Sequence, residues 1–432
     1  MHMINPLAQE LNSILAETVP GKMLSDLGQR LFFPKGIIAQ GAEAKKLGKT
    51  ANATIGMSVF NGKPAIVPSV QKEFSTLTST EAVAYAPTAG NPDFRNFWKD
   101  QIIAKNPSLK DKTISLPAVV PGLTAGISYL SDLFLAEGDS LLAANPSWDN
   151  YSLIVEARRN ATLKSFTLFT KTGFNCEAFE KAVAEEAKCG KIRILLNFPQ
   201  NPSGYSPTKT EQKAIVDILK KYADKGALIM VWCDDAYFGL NYEEDIAPES
   251  LFAALCDAHE NIFAAKIDGP TKEDFAWGLR TGFLTFGGKG FTADQYDALN
   301  KKLMGVIRSS VSCCSTPAQS IMLKAAANPE YEAEKIAFRK ILANRYKIVR
   351  DFVDSKKGHA VLEAMPFNSG YFMSFECKGI SAEALRQKLL NEYGIGTVAI
   401  DDGHLRVAFS SLDEGIIEQV YASIYKAAEE LA

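Results

Sequence analysis

Six short segments hold the side chains of this chain best suited to chemistry: Pro121-Gly-Leu-Thr-Ala-Gly126, Asn145-Pro-Ser-Trp-Asp-Asn-Tyr151, Asn197-Phe-Pro-Gln-Asn-Pro-Ser-Gly204, Asp234-Asp-Ala-Tyr237, Gly269-Pro-Thr-Lys272 and Gly278-Leu-Arg280. Each alone has an ordinary explanation: a loop entering a helix, a common turn, a half-buried tryptophan, a solvated lysine. Together they supply an amine nucleophile, a carboxylate, a phenol, a side-chain amide, a flat aromatic, and a glycine-bearing helix start with an arginine to match. Asp234 follows an apolar run, where a carboxylate is costly without a cationic or protonated partner. The Gly-Leu-Thr-Ala-Gly segment offers an anion free N–H groups and the positive end of a helix.

A ligand with an aldehyde, a phenolic oxygen, a ring nitrogen, an aromatic face and a phosphate would use all of these groups, and pyridoxal 5'-phosphate has them. Lys272 would then bond the aldehyde and afterwards shuttle a proton at the substrate Cα, its neutral form favoured by a pocket that resists more positive charge. Asp234 would pair with the ring nitrogen and keep it protonated, so that the ring takes up charge. Tyr237 and Asn201 would donate to the phenolic oxygen, and Trp148 would stack on the ring. Leu123 and Thr124 offer backbone N–H groups to the phosphate, Thr124 a hydroxyl as well, and Arg280 a forked charge.

Composition leaves room for a borrowed cofactor. The 432 residues carry 47 basic and 50 acidic side chains, a net charge of −3 that suggests no nucleic-acid partner. With 47% hydrophobic and 22% charged residues the chain is in the ordinary globular range, long enough for two or three domains. The seven cysteines form no CxxC pair and read as reduced thiols, and His2, His259, His359 and His404 lack metal-ligand spacing, so no metal site is expected. No apolar run is long enough to span a membrane, and the start MHMINPLAQELNS lacks a basic region followed by an apolar one; a cytoplasmic protein without a membrane partner is expected.

These segments need a scaffold that brings them together. A helical pattern near 124–136 precedes an apolar run at Leu141–Ala144, and strand-like runs follow at Ala161–Phe169, Ile192–Phe198, Leu228–Trp232, Ile262–Ile267 and Gly282–Phe286. Between two of them a helix shows Ile215, Ile218, Leu219 and Tyr222 on one face, a capping box from Thr208 to Glu211, and Gly226 as its stop. Such alternation implies an α/β fold with a mostly parallel, mixed sheet flanked by helices, and its ligand lies at the carboxyl ends of the strands. Beyond about residue 320 the pattern changes to a long helix at 332–357, short strands at Tyr371–Phe375 and Leu405–Phe409, and a helix at 414–431, a small α+β domain.

Over about Asn52 to Leu412 the chain resembles the fold type I, class I pyridoxal-phosphate aminotransferases, most nearly the aspartate and aromatic amino acid branch. Beyond the segments above, Gly56 in Asn52-Ala-Thr-Ile-Gly-Met57 and the following Asn61-Gly-Lys-Pro-Ala-Ile-Val-Pro-Ser-Val-Gln-Lys72 are similar to that branch's amino-terminal signature. Tyr85-Ala-Pro-Thr-Ala-Gly90 is similar to the loop whose tyrosine reaches the phosphate in a neighbouring subunit, and Arg406 in Leu405-Arg-Val-Ala-Phe-Ser410 matches the arginine that clamps the substrate α-carboxylate. The resemblance implies a homodimer with shared active sites and a substrate site formed by Gly56, Trp148, Asn201 and Arg406. It implies an amino-terminal arm and first part of a small domain at 1–64, a large cofactor domain at 65–325, and the rest of the small domain at 326–432. It also implies transamination, by a ping-pong mechanism, between an L-amino acid of aspartate, glutamate or aromatic type and a 2-oxo acid.

Three positions depart from the pattern. Gly269 stands where many members carry a hydroxyl, so phosphate binding leans more on Thr124, Thr271 and Arg280. Tyr151 stands where the branch usually has a histidine behind the aspartate. Arg308 is a candidate for the arginine that a neighbouring subunit offers to a dicarboxylate side chain. The same fold also carries β-eliminating C–S lyases; the Asn-Pro-Ser-Trp and Asp-Asp-Ala-Tyr contexts favour transamination. A DNA-binding regulator built on this fold is a poorer match, since the stretch before Asn52 has no basic helix-turn-helix pattern.

Overall fold

The computed structural model describes residues 4–34 and 36–432; Met1, His2, Met3 and Lys35 lie outside the described residues, and with them the expectation placed on His2. Seven strands build the central sheet: β1 (Ala118–Val120), β2 (Ser140–Asn145), β3 (Thr162–Thr167), β4 (Lys191–Asn197), β5 (Leu228–Asp234), β6 (Ile262–Asp268) and β7 (Gly282–Gly288). Their order is β1-β7-β6-β5-β4-β2-β3. Strand β7 is antiparallel to both its neighbours and the remaining pairs are parallel.

The inner strands are apolar almost without alternation because helices cover both faces of the sheet. Ile194, Leu195 and Leu196 of β4 and Val231, Trp232 and Cys233 of β5 are all buried. Strands β5 and β6 run past the apolar residues expected to end them, to Asp234 and Asp268. Backbone pairing does not depend on side-chain polarity, and the ladder continues through Asn197 opposite Asp234 and Asp234 opposite Ile267. Asn197 and Asp234 are therefore level with one another, and Asp268 lies one residue further on.

The helices that bear on the site are α1 (Ile37–Leu47), α2 (Pro92–Lys105), α3 (Leu123–Phe134), α4 (Lys209–Ala223), α5 (Tyr331–Asp354) and α6 (Glu414–Glu429). Helix α4 starts with the full capping box between Thr208 and Glu211 and buries Ile215, Ile218 and Leu219. Helix α5 stops at Asp354, short of the expected 357, because the chain turns after Ser355 and Gly358 takes the left-handed conformation at φ 83°. Helix α6 likewise ends at Glu429 rather than 431, its last residues fraying into a turn.

A second core lies around a four-stranded antiparallel sheet of β8 (Leu362–Ala364), β9 (Phe372–Cys377), β10 (Val398–Ala399) and β11 (His404–Ala408), ordered β8-β9-β11-β10. Strand β9 extends two residues beyond the expected Phe375 because Cys377 pairs with Leu362. The early segment Ala51–Asn52 pairs in parallel with Ile395–Gly396, and Ala408 N–H donates to the Ala53 carbonyl at 2.8 Å, so the chain ahead of the central sheet packs in this second core. Helix α5 spans both cores: Tyr331 and Leu342 belong to the first, Tyr346, Val349 and Val353 to the second.

Candidate active site

The carboxyl ends of β4, β5 and β6 and the start of α3 face a cavity of about 330 Å³. Leu123, Thr124, Trp148, Asn201, Asp234, Tyr237, Thr271, Lys272 and Arg280 line it, together with Gly56 and Arg406 from the far ends of the chain. Size alone does not mark the site. A cleft of about 810 Å³ lies beside the end of α5, but its Tyr205 and Arg350 are taken up by Glu211 and Asp354.

Asp234 is held on one side and open on the other. Its Oδ2 accepts the Tyr151 hydroxyl at 2.5 Å, its backbone carbonyl accepts the Asn197 amide at 2.7 Å, and its buried Oδ1 has no partner. Burial pushes the carboxyl above the ordinary aspartate range, with Tyr151 and Lys272 acting against that shift. A protonated nitrogen facing Oδ1 would supply what this carboxylate lacks. The hydroxyl of Tyr151 thus makes the bond to the aspartate from the position where the branch usually has a histidine.

Lys272 sits on a four-residue helical turn, Pro270–Glu273, after β6. Its Nζ lies 4.8 Å from the centre of the Tyr237 ring. Burial pulls the amine down to about 8, Asp234 opposing and Arg280 adding to the shift. Burial holds Tyr237 above the ordinary phenol range, so it is a neutral donor at working pH. Gly269 has a steric cause: a Cβ there would come within 2.8 Å of the Thr281 carbonyl oxygen and 2.9 Å of Gly282 Cα. The hydroxyl common in the family has no room on this backbone.

The candidate anion cradle is built from backbone. Helix α3 begins without a side-chain cap after Gly122, whose φ of 89° suits glycine alone, leaving the first N–H groups of the helix free. A Cβ on Gly122 would stand 2.5 Å from Arg280 Nη2, so the guanidinium lies directly over the helix entry. The Thr271 hydroxyl donates to the Thr281 carbonyl at 3.2 Å, which engages its one proton inside the protein.

Arg406 is buried at the opposite wall. It donates to Asn201 Oδ1 at 3.0 Å and to the Thr54 carbonyl at 2.9 Å, lies 4.4 Å from the centre of the Phe372 ring, and keeps Nε without a partner. Burial lowers it to about 10, still a cation at neutral pH. Asn201 accepts with its oxygen, which leaves its amide N–H groups to donate.

The chemistry of this donor set fits pyridoxal phosphate: an orphaned buried carboxylate oxygen for a ring N–H, a depressed amine for an aldehyde, and an uncapped helix with an arginine for a phosphate. Two expected residues lie elsewhere. Tyr85 is 94% exposed, and Arg308 is exposed near the end of the helix Ala293–Ser310; neither lines this chain's own cavity. Ile37, Thr54, Met57, Trp277 and Phe372 also line the cavity, and sequence reasoning missed them. Ile37 and Met57 carry no chemical mark in the sequence, Thr54 contributes its backbone carbonyl, and Phe372 reads as one residue of an alternating strand.

Residues 55–424 match the family model for aminotransferase class I and II. A probable N-acetyl-LL-diaminopimelate aminotransferase of Bacillus subtilis is 24% identical over 312 residues, 69% of this chain and 71% of that protein. The mitochondrial aspartate aminotransferase of Dictyostelium discoideum is 26% identical over 47% of this chain and 49% of its own. Among solved structures, an aminotransferase from Anaerococcus prevotii superposes with a TM-score of 0.80 at 23% identity, covering 93% of this chain and 97% of that one. Aspartate aminotransferase from Thermus thermophilus with maleate gives 0.73 at 19% identity, over 94% and 99%.

Proposed function

The chain belongs to the class I and II aminotransferase family and is a pyridoxal-phosphate-dependent transaminase, and from that premise we propose that Lys272, Asp234 and Tyr237 carry the chemistry while Arg406 fixes the substrate. The observation that carries this assignment is the meeting of Lys272 Nζ, the unpartnered Asp234 Oδ1 and the buried Arg406 in one cavity. Bound there, the cofactor supplies an electrophilic carbon and a protonated ring that takes up charge from the substrate Cα.

The protein's own residues do the rest. Arg406 forks onto the α-carboxylate of an amino acid, its unpaired Nε pointing to unused donor capacity. Lys272 Nζ, with its pKa near 8, holds a neutral fraction at working pH and moves a proton away from Cα. Asp234 Oδ1 would hold the proton on the ring nitrogen, and Tyr237 with Asn201 would donate to the phenolic oxygen. Trp148 would cover the ring face, and its own indole meets Tyr151 edge-on at 5.4 Å between centroids. Leu123, Thr124 and Arg280 would hold the phosphate, with Thr271 lining the same cavity. Gly56 sits on the substrate side, where a Cβ would crowd Phe372 Cζ at 3.3 Å and the Tyr237 hydroxyl at 3.7 Å.

Substrates are L-amino acids of aspartate, glutamate or aromatic type with a 2-oxo acid acceptor, turned over by ping-pong kinetics. The working form is a cytoplasmic homodimer in which the exposed Tyr85 completes the neighbouring subunit's phosphate site. Borohydride reduction of the holoenzyme followed by peptide mapping tests the assignment: the cofactor should be fixed on Lys272, and a label on any other lysine overturns it. Supplying an amino acid with no 2-oxo acid tests the reaction class. Turnover should stop after one equivalent, and sustained ammonia release would instead mark a lyase.

A further inference from the structure

Lys272 is followed at once by two carboxylates for which the reaction has no use. Glu273 and Asp274 are 5% and 2% exposed, a setting in which unpaired carboxylates are costly. Cations from two helices meet them. Lys105 of α2 reaches Glu273 Oε1 at 2.8 Å, Arg339 of α5 reaches the same oxygen at 3.3 Å, and Lys335 of α5 reaches Asp274 Oδ1 at 2.6 Å. Lys335 is itself 1% exposed. Burial works against the Glu273 carboxylate, yet the three cations outweigh it and hold the group down at about 2.

The other end of the Lys272 turn is tied as well. Trp98 of α2 donates to Asp268 Oδ1 at 3.0 Å, and the buried Lys266 bridges Asp268, at 3.5 Å, to Asp235, the neighbour of Asp234. Buried ion pairs are weak evidence of net stability when compared with apolar packing. Helix α5 then continues into the second core, where Arg345 donates to the Val59 carbonyl at 2.7 Å and to the Ser410 carbonyl. Arg406 belongs to the same body.

We propose that Lys335 and Arg339 are positioning residues for Lys272, acting through Asp274 and Glu273, so that α5 links the stance of the amine to the domain that holds the substrate carboxylate. The proposal rests on Lys272 being the reacting amine. Two variants separate position from stability. Arg339→Gln alters a side chain that is 27% exposed, and Lys335→Met/Asp274→Asn removes both buried partners together, leaving only the 58% exposed Glu332, which Lys335 also meets at 2.9 Å, to the solvent.

Both variants should fold and carry the borohydride label on Lys272. In both, kcat should fall about tenfold or more with KM within about twofold, since a small misplacement of a reacting group acts on the chemical step. The pH midpoint of the bound cofactor's absorbance should move by more than about half a unit, and the apoprotein should take up pyridoxal phosphate several-fold more slowly. Arg339→Lys, which keeps the charge, should recover most of kcat. A lower thermal midpoint with kcat, spectral midpoint and uptake rate all unchanged overturns the proposal. A label away from Lys272 overturns the assignment beneath it, and the two failures are told apart by that map.

Discussion

The side chains at the centre of the site owe their properties to burial more than to their neighbours. The Lys272 amine is the case with a measurable sign. The unfolded chain keeps a lysine proton to about pH 10.5, whereas the folded apoprotein gives it up near 8, so between those values the unfolded state binds more protons and rising pH favours folding. Stability of the apoprotein measured by urea unfolding should therefore climb across that interval, and the same profile for Lys272→Met should lack that climb. Gly269 gives a second residue-scale test. Gly269→Ser would restore the hydroxyl common in related enzymes, but its Cβ meets the Thr281 carbonyl and Gly282 Cα, so it should destabilise by about 1–3 kcal/mol and weaken cofactor binding. A gain in affinity would show that the backbone yields. Lys272, Asp234 and Tyr237 were legible in the sequence because each sits where an apolar run ends. Lys266 was not, since it lies inside such a run, and only the structure places Asp235 and Asp268 against it.

Elements bring these residues into register. On the function proposed, helix α3 takes the phosphate at the entry that Gly122 shapes with its positive φ, and Gly122→Ala should cost about 1–2 kcal/mol from backbone strain while pushing Arg280 off the helix entry. Phosphate protection of the apoprotein against thermal unfolding should drop in parallel. At the start of α4, Thr208→Ala removes a complete capping box far from the cavity and should lower stability by about 1 kcal/mol with kcat unchanged. Helix α4 and the inner strands were readable from period and capping residues alone. The ends of α5 and β9 were not, because a turn after Ser355 and a pairing with Leu362 decide them, and both are facts of tertiary structure.

At the scale of the whole molecule, the site draws on both ends of the chain and, on the function proposed, on a second chain. If Tyr85 serves the neighbour, mixing an inactive Lys272→Ala homodimer with a Tyr85→Ala homodimer should restore activity, with about a quarter of all sites intact at random exchange. No recovery after confirmed subunit exchange would mean that each cavity is self-sufficient. Neither Ile37 nor Thr54 could be assigned to the cavity from sequence, since their place depends on how the early chain folds back onto the late one. That parallel pairing of Ala51–Asn52 with Ile395–Gly396 sets an order of assembly. The partners lie about 340 residues apart, so at synthesis rates of 5–20 residues per second the first strand waits roughly 20–70 s for the second to be made. The central sheet, with Lys272 and the phosphate cradle, can form during that wait. The Arg406 side of the cavity cannot, so on the function proposed a nascent chain gains the means to hold the cofactor before the means to grip an amino acid.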